Sequence, residues 1–188
     1  MIILHFAITD RLEDDAHQLD DGTVNVVSNP ISSDSVDAWI AMRFRNVQIP
    51  QGVIIFSAIL SVVPSSGSAD EPSHTFYGEA IDDSPILTTT PFDISNRSRT
   101  TANVLWDSAD LGANGSTRFT APDMVTIVQE IINRPGWVAG NSLMLMCHGS
   151  ADSARDLAIL SGNNYELNAN LDITCNIEPR RIIMGRMG

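Results

Sequence analysis

Residues 39–63 read WIAMRFRNVQIPQGVIIFSAILSVV, and the pattern of this stretch decides the fold class. Its first seven positions alternate between two sets, which are Ile40, Met42 and Phe44 on one side and Trp39, Arg43 and Arg45 on the other. A two-residue period is typical of a strand that buries one face. Pro50 and Gly52 then mark a turn, and residues 53–63 are apolar on both faces, which predicts a central strand.

Further strand patterns occur at both ends of the chain. Residues 1–6 are apolar and predict a first strand, residues 143–148 predict another central strand, and residues 171–177 alternate as a strand with one wet face. Clusters of Ser, Asn, Gly and Pro separate these segments. The sequence therefore predicts an all-β protein, an antiparallel β-sandwich of the jelly-roll type.

One segment has the period of a helix. Met124, Ile127, Val128 and Ile131 form an apolar stripe, which predicts a short α-helix near residues 121–133. Thr120 and Asp123 have the spacing of a capping box, with Pro122 in the first turn, and Asn133 to Gly136 end the helix. We expect this helix to lie across an open end or edge of the sandwich.

Length and charge limit the functions that the chain can have. Its 188 residues fit a single domain over 1–178, followed by an Arg-bearing tail over 179–188. The net charge is −12, from 23 acidic against 11 basic residues, and every basic residue is Arg. Such a balance argues against nucleic acid and against an anionic membrane as partners. The apolar first residues lack a basic leader, so we expect no signal peptide and no secretion by that route.

The residues of catalytic chemistry are present without a catalytic pattern. The four His have no ligands at metal spacing, no Gly-x-Ser-x-Gly motif or phosphate loop occurs, and Cys147 and Cys175 are expected to face the core. The sequence therefore predicts that the protein is not an enzyme and needs no cofactor. Ca²⁺ stays open as a ligand, because the run Glu13-Asp14-Asp15 offers three carboxylates, although solvated acidic loops are the alternative.

Two sets of residues are candidates for binding a partner. Trp39 and Arg43 share the strand face opposite Ile40, so we expect them on the outside, where a ring and a cation can anchor a partner. Arg180, Arg181 and Arg186 give the tail a positive charge, so we expect it either to dock on an acidic neighbour, such as residues 10–21 of another copy, or to be a frayed end.

Several phrases resemble a known family of β-sandwich modules. They are MRFRNVQIPQG at 42–52, GEA at 78–80, SNRSRTTANVLW at 95–106, and APD, VQEIINRPGW and GNSL at 121–123, 128–137 and 140–143. In this order they are similar to the DNRLRE and disaggregatase-related, carbohydrate-binding-module-like family of bacterial surface proteins and phage structural proteins. The resemblance implies a β-sandwich fold and supplies no catalytic motif.

Two functions follow as hypotheses. The first is a phage virion surface protein, such as a capsid decoration (cement) protein or tail accessory, that binds neighbouring structural subunits and forms a homo-oligomer, with a trimer favoured. It is expected at the virion or particle surface. The second is a carbohydrate-binding module that recognises surface glycans and is stabilised by Ca²⁺. Fold alone does not choose between them.

Overall fold

The computed structural model describes residues 1–8, 13–26, 31–32, 38–64, 73–107, 117–149, 158–159 and 168–177. The strands of these residues, in chain order, are β1 (Ile2–Ala7), β2 (Asp15–Gln18), β3 (Val24–Asn25), β4 (Ile31–Ser32), β5 (Trp39–Phe44), β6 (Ile55–Val62), β7 (Ser73–Glu79), β8 (Arg99–Asp107), β9 (Phe119–Asp123), β10 (Leu143–Gly149), β11 (Ala158–Ile159) and β12 (Asn170–Cys175). A short helix, α1 (Val125–Ile132), follows β9.

The strands form two main antiparallel sheets. The four-stranded sheet has the order β1-β12-β6-β9, and the six-stranded sheet has the order β3-β2-β5-β10-β7-β8. Strands β4 and β11 pair as a separate two-stranded ribbon. The prediction of an all-β antiparallel sandwich with one short helix is confirmed.

The main core combines inward-facing residues of both sheets. Met42 on β5 and Leu145 on β10 pair across the six-stranded sheet, and Leu60 on β6 pairs with Leu171 on β12 in the other sheet. All four are buried in one apolar cluster. This arrangement follows from the two-residue period of each strand, because alternate side chains point to the same face. The predicted central positions of β6 and β10 are confirmed, since each has a neighbouring strand on both sides.

The helix begins later than the sequence predicts. Residues 119–123 form β9 and pair with β6, so Thr120 and Pro122 lie in a strand and the capping box is absent. Instead, one carboxylate oxygen of Asp123 accepts hydrogen bonds from the backbone N–H of Val125 (2.9 Å) and of Ala58 (2.8 Å). The predicted end of the helix before Pro135 is confirmed. Among the described residues, no helix is long and apolar enough to cross a membrane.

Two polar side chains of α1 tie the sheets together along one side of the sandwich. Gln129 Oε1 accepts the N–H of Ile55 at the start of β6 (2.8 Å). The two carboxylate oxygens of Glu130 accept the N–H groups of Thr101 and Ala102 on β8, each at 2.8 Å. Because β6 and β8 belong to different sheets, the helix closes the sandwich on this side, as the sequence predicts.

Candidate functional site

The acidic run at residues 13–15 lies at the start of β2, next to β5. The carboxylate of Asp14 is fully buried, and its two oxygens lie 2.7 Å from Nη1 of Arg43 and 2.7 Å from Nε of Arg45. A buried carboxylate needs such partners, because an isolated charge in the core is strongly unfavourable. Asp14 is therefore held by two arginines.

This geometry bears on the calcium ligands expected from the sequence. In the part of the chain that the structure describes, no group of three or more His, Cys, Asp or Glu side chains lies close enough to hold a metal ion. Glu13, Asp14 and Asp15 are neighbours in sequence but are not brought together as a ligand set. Calcium binding by the chain stays a hypothesis from the sequence.

Arg43 is an internal clamp, which corrects the expectation that it lies on the outside. Besides contacting Asp14, it donates from Nε to the carbonyl oxygen of Ser84 (2.7 Å) and from Nη2 to the hydroxyl of Ser142 (2.9 Å). Only 11% of the Arg43 side chain is accessible. Its guanidinium joins three segments that are distant in sequence. These internal contacts explain why an arginine occupies this position, and the explanation does not require a partner protein.

Trp39 is also buried, contrary to expectation. It lies on the opposite face of β5 from Ile40, as predicted, but only 6% of it is exposed. A second apolar cluster encloses it, formed by Ala16, Val24, Ala41, Leu87, Ile94, Met144 and Met146 with Val26 and Tyr77 at its margin. The outer face of the six-stranded sheet is therefore covered around Trp39.

The cover is the segment 80–98, which crosses this face between β7 and β8. Arg97 fixes it from within, because Nη1 contacts both carboxylate oxygens of Glu79 (3.0 and 3.1 Å) and Nη2 contacts the carboxylate of Asp93 (3.0 Å). On the other side, Gln18 Oε1 accepts the N–H groups of Ile94 (3.1 Å) and Ser95 (2.9 Å). The cover segment is thus attached to β2 and β7 by buried polar contacts.

A group of three aromatic rings and one arginine, which was not predicted from the sequence, lies beside segment 80–98. We call Trp39, Tyr77, Arg99 and His148 the Arg99 cluster. The guanidinium carbon of Arg99 is 5.1 Å from the ring centroid of Trp39 and 5.7 Å from that of Tyr77. The Trp39 ring is 4.5 Å from the ring of His148 and 6.3 Å from that of Tyr77. The alternation of exposed residues along β8 is the signal that places Arg99 on this face.

The outer face of the four-stranded sheet carries a second unpredicted feature, an apolar patch. It consists of Met1, Ile3, Ile54 and Phe56, all of which are exposed, whereas Ile2 pairs with the core residue Cys175 and is on the other face of β1. Ile3 is 68% exposed, Ile54 65% and Phe56 53%.

The register shows that the patch lies at one end of the sheet. Cys175 of β12 pairs with Ile2 on one side and with Ile55 on the other. The two strands that carry the patch, β1 and β6, therefore flank β12 and are about 10 Å apart. The sequence contains one indication that this face is not covered, because Ser57 and Ser61 on the outer face of β6 are polar.

Reactive side chains are enclosed by the core. Burial, and next the neighbouring His148, lowers the pKa of His74 to about 4, so this imidazole is neutral at pH 7. Burial raises the pKa of the Cys147 thiol to about 12 and also raises that of Cys175. Both cysteines are buried and unpaired, as the sequence predicts. A thiol held in its protonated form is a poor nucleophile.

A shallow depression of about 480 Å³ lies between α1 and β6. Its lining consists of Ile55, Val125, Thr126, Gln129, Glu130 and Asn133. Gln129 and Glu130 already bind backbone N–H groups of β6 and β8, so their polar atoms are occupied by the fold. The depression is therefore a consequence of how the helix is attached.

The tail arginines expected to bind a partner, Arg180, Arg181 and Arg186, lie outside the described residues. No protein-family model matches the chain, and no curated protein matches it. The resemblance to the DNRLRE and disaggregatase-related modules stays a prediction.

Proposed function

We propose that this chain is a non-enzymatic structural protein of a phage virion or particle surface, which binds copies of itself and neighbouring subunits. The observation that carries the proposal is the apolar patch. Monomeric proteins rarely expose contiguous apolar surface without a use for it, and such surface commonly marks a site of protein association.

The position of the patch supports association through a sheet face. Ile3 lies on β1, which forms the outer edge of the four-stranded sheet among the described residues. The β1 sequence, IILHFA, contains no acid, Pro or Gly, although such residues commonly protect exposed edges from pairing. A neighbouring subunit can therefore contact both the edge and the apolar face beside it.

Charge supports the same surface. The chain has a net charge of −12, so copies repel one another in most orientations. None of the four residues of the apolar patch has an ionisable side chain. Contact between the patches of two copies removes apolar surface from water. Because the patch contains no acidic residue, this contact does not place one patch carboxylate against another. Closed rotational symmetry is the usual result for soluble homo-oligomers, and a trimer is the number we favour.

The proposal also gives a role to the tail. Residues 180–188 contain three arginines and no acid, so they are suited to binding an acidic surface on a neighbouring subunit.

The test of the proposed function separates particles from a culture of the source organism by density-gradient centrifugation and probes the fractions with an antibody against the chain. Sedimentation with the particles supports the proposal, and recovery only among slowly sedimenting soluble proteins contradicts it.

A further inference from the structure

The chain leaves the four-stranded sheet beside the apolar patch. The last residue of β12, Cys175, pairs with Ile2 on β1 and with Ile55 on β6, at the end of the sheet that carries the patch. The described part of the chain ends two residues later, at Ile177. The four residues 178–181 span at most about 14 Å when extended. In an oligomer whose copies meet at the patch, each tail therefore begins within reach of a neighbour's patch.

The tail matches the patch in chemical character. The run 182–184 consists of two isoleucines and a methionine, and Arg181 and Arg186 lie on either side of it. The patch is apolar, and the carboxylate of Asp172 lies further along the same outer face of the sheet, where it contacts His5. The side chain of Asp172 is 44% exposed. An apolar run between two cations therefore fits an apolar surface with an acid near it.

The topology favours binding of the tail to another copy. β12 has β1 on one side and β6 on the other, so the tail cannot return along an edge of its own strand. Pro179 favours an extended backbone at Glu178, which directs the chain away from the sheet.

The distribution of charge also favours a contact between copies. Residues 1–179 contain 23 acids and eight of the 11 arginines, a net charge of −15, whereas residues 180–188 carry +3. A tail that lies on a neighbour therefore offsets part of the repulsion between two acidic copies.

We propose that residues 181–187 of one copy bind across the apolar patch of a neighbouring copy, as an exchanged arm that forms part of the assembly contact. The inference rests on the proposed function and names the segment that occupies the patch. Each copy then gives its tail to one neighbour and receives the tail of another. Such a head-to-tail contact closes into a ring, and exchange of an identical element between copies is a low-cost route to association.

The first test measures the mass of the full-length chain by light scattering over a range of concentrations. The tail variant is Ile182→Ser with Ile183→Ser. Its control is Leu105→Ser with Val138→Ser, which makes the same change at two exposed apolar positions outside the patch. We expect the tail variant to dissociate at a concentration about tenfold or more above that of the wild type and the control, because the arm loses two apolar side chains.

The second test asks whether the arm reaches a different copy. A chain with Ile183→Cys is mixed with a tagged chain that has Phe56→Cys, and the mixture is mildly oxidised. The native Cys147 and Cys175 are buried, so they do not compete for the added thiols. We expect disulfide-linked pairs of one tagged and one untagged chain, at least about tenfold more than when Leu105→Cys replaces Phe56→Cys.

The outcomes separate this inference from the proposed function. A tail variant as oligomeric as the wild type, with an oligomer that Ile54→Ser with Phe56→Ser abolishes, overturns the exchanged arm and leaves assembly through the patch intact. Mixed pairs that are no more frequent with Phe56→Cys than with Leu105→Cys also overturn the arm. A wild type that is monomeric at every concentration contradicts both the proposed self-association and the arm.

Discussion

Gly78 lies directly beneath Ile131, so that a Cβ on Gly78 would be 2.6 Å from the Cδ1 atom of Ile131. The methyl Cγ2 of Ile127 would be 2.8 Å from the same position. The close approach of α1 to β7 therefore requires a residue without a side chain. This contact explains the Gly in the GEA phrase at 78–80 by packing alone.

We expect Gly78→Ala to destabilise the protein by about 1–3 kcal/mol, because the added methyl group overpacks this contact. The free energy of unfolding is measured by urea denaturation. Ile131→Val removes the Cδ1 atom that meets the new methyl group, so the double variant should lose less stability than the two single losses added together. Strict additivity of the two changes would contradict this account of the contact.

The ion pairs that Asp14 forms with Arg43 and Arg45 give a second prediction. Replacing the buried Asp14 by Asn leaves Arg43 and Arg45, which are only partly accessible, without their counter-charge, and we expect a loss of about 3–5 kcal/mol in the free energy of unfolding. Glu13→Gln is the matched control, because it changes the adjacent acid, whose side chain is not fully buried and forms no ion pair with a described residue. We expect this control to change stability by no more than about 0.5 kcal/mol.

Glu13→Gln also serves as the variant in a test of calcium binding. Because the carboxylate of Asp14 is already bound by two arginines, we expect CaCl₂ to leave the midpoint of thermal unfolding where MgCl₂ leaves it. An increase with Ca²⁺ but not with Mg²⁺ that disappears in Glu13→Gln would instead establish the site predicted from the acidic run.

The buried His74 predicts a loss of stability in acid. Its pKa is lowered from 6.5 to about 4 in the folded protein, so between these values the unfolded chain binds more protons than the folded chain. Its contribution to stability is therefore present above about pH 6.5 and is lost as the pH falls towards 4. The whole contribution is on the order of 3 kcal/mol.

The measurement is the urea midpoint between pH 7 and pH 4 for the wild type and for His74→Gln. We expect a shallower decline in the variant, since Gln does not titrate. Parallel declines in the two proteins would show that His74 is not the group responsible.

The cysteines should not react while the protein is folded. Both thiols are buried, and the raised pKa of Cys147, about 12, keeps it protonated at pH 8. We expect Ellman's reagent to modify neither thiol in the native protein and both in denaturant. Rapid reaction of one thiol without denaturant would place that cysteine at an accessible site.

The sequence allowed the strands to be predicted because their determinants are local. The alternation in residues 39–45 depends only on neighbours along the chain, and β5 forms where it is expected. The faces of β5 were less predictable. Ile40 faces the main core as expected, but Trp39 is covered by segment 80–98, whose path depends on distant contacts of Arg97 and Gln18.

The helix start and the candidate sites show the same limit. Thr120 and Asp123 have the spacing of a capping box, yet pairing with β6 extends them as a strand. The Arg99 cluster joins residues of four different strands, and the apolar patch joins β1 with the beginning of β6. Such sites depend on the order of strands within the sheets, and the residue period does not determine that order.

The central claim is that the apolar patch mediates assembly, and the mass of the protein in solution tests it most directly. The patch variant is Ile54→Ser with Phe56→Ser. Its matched control is Leu105→Ser with Val138→Ser, since these two residues are 56% and 61% exposed and lie outside the patch.

Light scattering over a range of concentrations gives the mass of each protein. We expect the wild type and the control to form one closed oligomer, with a trimer at three times the 20.4 kDa of the chain. We expect the patch variant to be a monomer that still unfolds in one cooperative transition, at a lower temperature than the control because association no longer stabilises it. A wild type that stays monomeric at every concentration, or an oligomer that the patch variant leaves intact, would contradict the claim.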